Sequence, residues 1–157
     1  LIESVTLTSN AASVTFSSIP QTFGDLVFIA NGACTTSRQA QLYFNGNTSA
    51  VYSAIDMVGQ SNGAYSSSNS NQPVIFLSPT SSTWDTDPTL LVAQVMDYSA
   101  TDKHKSVLIR SDRPLGETVA MAARAAITAA ITRLDLYAAG GFTTGTTFHL
   151  YVIAKAL

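Results

Sequence analysis

The sequence predicts an all-β protein, a sandwich or barrel of about ten short strands folded as a single domain over residues 1–157. Three observations carry that reading. Segments rich in Val, Ile, Phe, Tyr and Thr recur at short intervals, each bounded by Gly, Asn, Asp, Ser or Pro. Several of them alternate apolar and polar residues with a period of two, as a strand with one buried face does. Charged residues make up only 11% of the chain, against about 25% in an average soluble domain, while Ser and Thr number 19 each, so hydroxyls and amides must wet the surface.

Taken in order, residues 2–8, 12–16 and 25–31 read as the first strands. QAQLYFN, residues 39–45, sets Ala40, Leu42 and Phe44 on one face and Gln39, Gln41, Tyr43 and Asn45 on the other, and Asn45-Gly46 then supplies the positive φ of a tight turn. Residues 51–58, 73–77 and 106–111 are further strands. Between them GQSNGAYSSSNSNQP, residues 59–73, reads as a polar low-complexity loop, and PTSSTWDTDP, residues 79–88, as a second loop that carries the single tryptophan, Trp84. LLVAQVMDY, residues 90–98, is apolar on both faces, which predicts a central strand covered on both sides by its own fold or by a neighbouring subunit.

ETVAMAARAAITAAI, residues 117–131, is ambiguous. Val119, Ala123, Ile127 and Ile131 lie four apart and alanine favours helix, yet Thr118 is the one plausible N-cap, no glycine ends the run and the neighbours are strands; we read strand. RLDLYAA sets Leu134, Leu136 and Ala138 against Arg133, Asp135 and Tyr137, and TFHLYVIAK, residues 147–155, alternates likewise. GGFTTGT, residues 140–146, reads as the turn joining these two as antiparallel neighbours.

The same inventory excludes several functions. A formal charge of −2 with scattered Lys and Arg lacks the footprint of phosphate neutralisation, which argues against nucleic acid as a partner. No apolar run approaches the 18 or so residues of a membrane span, and LIESVTLTSN has neither the basic start nor the apolar block of a signal peptide, so we expect no membrane partner. Cys34 is the single cysteine, which rules out an internal disulfide and reads as a small apolar residue. No GxSxG occurs, and His104 and His149 fall in a polar turn and on an outer strand face, so we assign no catalytic residue. Asp85 and Asp87 have the oxygen chemistry of a Ca²⁺ shell, but a turn before Pro88 accounts for them and we assign no metal. Gly140-Gly141 lies between strands rather than before a helix, so no nucleotide or other cofactor is expected. Asn47-Thr48-Ser49 matches a glycosylation pattern but reads as a polar turn.

Three stretches point further. AASVTFSSIPQTFGDLVFIA at 11–30, LYFNGNTSAVY at 42–52 and TAAITRLDLYAAGGFTTGTTFHLYVI at 128–153 resemble the β-sandwich virion proteins of tailed bacteriophages, in which an opening SVTFSSIP.TY.DL and an ending ITSI.L....G.F..GS...LYGI recur. Ile131-Thr132-Arg133-Leu134, Gly141-Phe142 and Leu150-Tyr151-Val152-Ile153 occupy the matching places; Val152 stands where glycine is usual, and AKAL continues the chain where many relatives stop. The resemblance implies a jelly-roll-like sandwich, a place in the virion after synthesis in the host cytoplasm, and association as a homotrimer, and it leaves open head or tail.

The expected function is therefore a capsid decoration, or cement, protein that binds the major capsid protein on the outside of the head and makes or breaks no bond. Under that reading Leu91, Val95 and Tyr98 of the doubly apolar strand and Val119 and Met121 of the small-residue strand lie at the subunit interface, with Tyr65 and Trp84 on contact loops. The alternative is a tail-fibre or spike domain that recognises host-surface glycans through Trp84, Tyr65 and loop amides.

Overall fold

The computed structural model describes residues 1–77, 84, 86–113 and 116–155. Two antiparallel sheets lie face to face as a jelly-roll-like sandwich, and no helix occurs among the described residues. Twelve strands follow in chain order: β1 (Glu3–Thr6), β2 (Ala11–Phe16), β3 (Asp25–Gly32), β4 (Ala40–Phe44), β5 (Tyr52–Gln60), β6 (Gly63–Gln72), β7 (Ile75–Phe76), β8 (Thr89–Met96), β9 (Lys105–Asp112), β10 (Glu117–Ala125), β11 (Leu134–Phe142) and β12 (Thr147–Ile153). The larger sheet runs β1-β12-β3-β8-β9-β10-β5-β6 and the smaller β2-β11-β4-β7.

Eleven of these strands fall where the sequence places them, and three expectations need correction. Residues 59–73 are not a loop: Gln60 pairs with Gly63 across a short turn, and β6 then runs back along β5 as the outermost strand of the large sheet. An edge strand packs against one neighbour only, so Ser and Asn satisfy it and its composition carries no apolar signal. Residues 117–131 divide. The strand reading holds over Glu117–Ala125, which sits between β9 and β5 in an unbroken register, because tertiary pairing overrides alanine's helical preference; residues 126–133 are an irregular strap from the large sheet to the small one.

The third correction concerns GGFTTGT. β11 belongs to the small sheet and β12 to the large, so residues 140–146 cross between layers instead of closing a hairpin. A break in the β11–β2 register between Tyr137 and Phe142, together with φ 72° at Gly141, turns Phe142 into the interior. Asn45 and Gly46 have the expected positive φ, 55° and 66°, but the chain leaving them also changes sheet, from β4 to β5.

Aromatic rings knit the layers together. Trp84 meets Phe142 edge-on at 5.0 Å, Phe142 meets Phe148 at 5.1 Å, Phe148 stacks near Phe28 at 6.2 Å, and Phe28 meets Phe16 at 6.0 Å. The column crosses from one sheet to the other and back, with Phe142 and Phe16 from the small one and Phe148 and Phe28, adjacent within it, from the large one. Trp84 is 1% exposed, and its indole Nε1 donates to the Gly32 carbonyl at 2.7 Å. The placement of Trp84 on a solvent-facing loop is thereby overturned: the only indole of the chain finds both its apolar surroundings and its hydrogen-bond acceptor inside.

Polar groups hold the strap and the turns. Asn45 Oδ1 accepts from the backbone amides of Thr132 and Arg133, Gln21 Nε2 donates to the carbonyls of Ile19 and Ile131, and Ile131 N donates to Tyr98 O. Lys105 is fully buried, and its ammonium donates to the carbonyls of Ala100, Lys103 and Thr128, which use its three N–H bonds. Asp135, expected on a polar face, is buried by its partners: Thr15 Oγ1 donates to it at 2.8 Å, Gly46 N at 3.3 Å, and Arg133 at 2.8 Å through Nε.

Two expected outcomes follow. Trp84→Ala empties the top of the ring column and lowers unfolding free energy by about 3–5 kcal/mol in chemical denaturation. Lys105→Met leaves three carbonyls without their donor and costs about 1–3 kcal/mol, with the loss read in the same titration.

Candidate interaction surface

Alternation along the central strands sorts every side chain of the large sheet to one of two faces. In β8 Leu91, Ala93 and Val95 point inward, and in β9 Val107 and Ile109 do; Val119, Met121 and Ala123 of β10 follow the same parity. The opposite parity faces away from the small sheet. It carries Leu90 and Val92 of β8, Leu108 and Arg110 of β9, Ala120 and Ala122 of β10, and Ile55 and Met57 of β5.

The registers turn these into two rows across the sheet. One runs Tyr151, Val27, Gln94, Leu108, Ala122, Ile55; the next runs His149, Ile29, Val92, Arg110, Ala120, Met57. Both rows are apolar apart from Gln94, Arg110 and the His149–Tyr151 end. Because Ala120 and Ala122 are short while Leu108 and Arg110 on one side and Ile55 and Met57 on the other are long, β10 is the floor of a trough. Its volume is about 500 Å³, bounded by Val27, Val92, Gln94, Leu108, Arg110 and Met57. Met57 is 64% exposed, Ile55 55%, and Leu90 and Leu108 47% each. A contiguous apolar face of this kind is the usual mark of a surface that meets another macromolecule.

The residues expected at the interface are placed differently from that expectation. Leu91, Val95, Tyr98, Val119, Met121 and Trp84 are all core residues of this chain, and Tyr65 alone, on β6, is exposed. Tyr98 closes the far end of the core, its hydroxyl donating to the Pro20 carbonyl. For the strands around 90–98 and 118–127 the correction is one of parity: the neighbours of the named residues face out. For glycan recognition it removes Trp84 as a stacking platform, since its ring is enclosed by Phe142 and Phe148.

Groups with chemical potential stay apart. His104 is exposed; His149 is half-buried on β12, where its Nδ1 shares a 2.8 Å hydrogen bond with Ser4 Oγ. Asp85 lies outside the described residues, and Asp87 is half-buried. Among the described residues no three of His, Cys, Asp and Glu gather at metal-binding spacing. Cys34 is buried and bridges to Phe142 through the backbone. The Asn47 carboxamide accepts from Ser49 N, closing the polar turn expected there. No helix of the described residues is long and apolar enough to cross a membrane.

One buried carboxyl stands out. Asp56, on the inner face of β5, receives Ser67 Oγ from β6 at 2.9 Å while its other oxygen has no partner among the described residues. Burial raises its pKa above the ordinary carboxylate value, opposed in part by the Ser67 hydrogen bond. The signal missed in sequence was the pairing of Asp56 with Ser67, which required the Ser/Asn stretch to be a strand.

No family model matches this chain, and no curated protein does either. Among solved structures, the galectin LEC-6 of Caenorhabditis elegans is 7% identical, with 94% of this chain and 95% of that one covered and a TM-score of 0.44. A tetrameric galectin from the ball sponge Cinachyrella sp. is 12% identical over 90% of this chain and 99% of that one, with a TM-score of 0.40. A mutant of the alginate lyase Aly36B in complex with alginate tetrasaccharide is 7% identical, covered to 97% and 81%, with a TM-score of 0.33. Likeness at this level assigns neither family nor ligand to the chain.

The raised pKa of Asp56 has a definite sign. The folded protein binds its proton more tightly than the unfolded chain, so the associated stability is present at low pH and is lost as pH rises through the folded pKa. Asp56→Asn removes that segment of the stability–pH curve, and in denaturation at a series of pH values it gains on wild type toward neutral pH and not at acid pH.

Proposed function

We propose that this chain is a virion structural protein of a tailed bacteriophage, of the capsid decoration type, made in the host cytoplasm and assembled as a homotrimer on the major capsid protein at the outer surface of the head. The observation that carries the proposal is the uncovered apolar face of the large sheet, with its trough over Ala120 and Ala122. The virion-protein resemblance of residues 11–30, 42–52 and 128–153 supports the same reading.

The mechanism is burial. A sheet face laid across the joint between shell subunits has to be re-exposed before those subunits separate, at about 25 cal/mol for each Å² of apolar surface. Each contact is modest, and repetition over a closed shell multiplies it. With 11% charged residues and a net charge of −2, neighbouring copies repel one another little, which suits dense packing. Arg110 and Gln94, the polar members of the two rows, give the face an orientation it would lack if uniformly apolar.

The test uses heads that lack this chain. Purified protein co-sediments with them and raises the temperature at which they release DNA, and density of the decorated heads shows three copies about each binding position. Leu108→Glu with Val92→Glu lowers binding at least tenfold while leaving the folded chain within about 0.5 kcal/mol of wild type, the usual range for surface changes. A protein that ignores such heads yet binds host-surface glycans, or is found on tails, overturns the proposal.

A further inference from the structure

We propose that the free edge of β6 pairs antiparallel with β6 of a second copy of this chain, joining two large sheets into one about a two-fold axis. This contact uses the edge of the sheet, whereas shell binding uses its face; in a trimeric unit it links one unit to the next, and it stands independently of the shell-binding reading.

Among the described residues β6 pairs with β5 alone, and its regular part, residues 63–69, offers about 24 Å of edge at 3.4 Å per residue. Natural sheets guard such edges by shortness, charge, proline or irregularity. The other edges here are guarded: β1 has four residues and includes Glu3, β7 has two, and β2 borders the register break in β11. GAYSSSNSNQ has no charge and no proline, and its register with β5 is unbroken over the seven residues 63–69, shifting only beyond them, where Asn71 has φ 54°. Eight of its ten residues are exposed, all but Asn69 and Gln72.

The occupant follows from the pattern of the edge itself. Ala64, Ser66 and Ser68 point to one face, and Tyr65, Ser67 and Asn69 to the other. In an antiparallel pair opposing residues share a face, so a two-fold axis near Ser67 sets Ser66 against Ser68 of the copy and Tyr65 against Asn69. Every opposed pair is small or can hydrogen-bond, and none is charged. The edge is thus its own complement in length, charge and side-chain size, whereas an added peptide of different sequence would find no pockets at alternate positions to select it. Tyr65, one of the exposed large apolar side chains, lies on this edge strand and is covered further by a paired copy.

Sedimentation equilibrium tests the pairing. Wild-type protein has at least twice the particle mass of the Ser66→Lys/Ser68→Lys variant, because the two-fold near Ser67 sets the introduced cations opposite one another. Ser66→Glu/Ser68→Glu lowers the mass in the same way, and an equimolar mixture of the two variants recovers the wild-type mass, which a folding defect would not. Circular dichroism confirms that each variant keeps its sheet. Variants that retain the wild-type mass, or a mixture of folded variants that fails to recover it, overturn the proposal, and binding of either variant to undecorated heads reports on the shell contact separately.

Discussion

The sandwich depends on one column of rings, from Trp84 through Phe142, Phe148 and Phe28 to Phe16, that passes back and forth between the two sheets. Three of the four phenylalanines lie in strands whose alternation makes them inward-facing as a matter of geometry, and the fourth, Phe142, reaches the column only because Gly141 takes a positive φ at the end of β11. Trp84 locks the end. Its indole fills the space beside Phe142 while its backbone bridges to Arg38 and its Nε1 to Gly32, so a residue between strands is tied to both layers. Edge-to-face contacts at 5.0–5.1 Å add directionality to what is otherwise area burial.

Once the inner face of the large sheet is committed to that column, its outer face is determined too, since each strand has only two faces. Eight strands are opposed by four, and the side chains that look away from the small sheet are as apolar as many core positions: Val27, Ile29, Val92, Leu108. Ordinary one-sided sheets place hydroxyls and charges there. The hydroxyls of this chain are concentrated instead on β6 and in the turns, where they satisfy a strand that has one neighbour and no cover.

Much of this was legible in the residues. The Asn45-Gly46 turn, the inward Leu42 and Phe44, and the alternation from Leu134 and from Thr147 needed only the period of two and the turn preferences of Asn and Gly. Connectivity between layers was not. Antiparallel neighbours and strands in opposite sheets are joined by loops of similar length and composition, so GGFTTGT gave no sign that it crosses the sandwich. The Ser/Asn stretch was missed for a different reason: an edge strand that buries almost nothing leaves no apolar pattern to detect, and only its pairing with β5 reveals it.

The surface itself was obscured by parity. In LLVAQVMDY both alternating sets are apolar, and nothing within those nine residues says whether Leu91, Ala93 and Val95 or Leu90, Val92 and Met96 look inward. The deciding fact lies outside the segment, in registers that set Ala93 opposite Phe28 and Ile109, two residues already committed to the core. Within residues 90–96 Gln94 is the single polar member, and it lies in the outward set, where its carboxamide donates to Asp25. A strand whose two faces are both apolar does not mark them by polarity. The ambiguity is therefore what a strand apolar on both faces produces, and it is resolved by what lies opposite each strand, never by the strand alone.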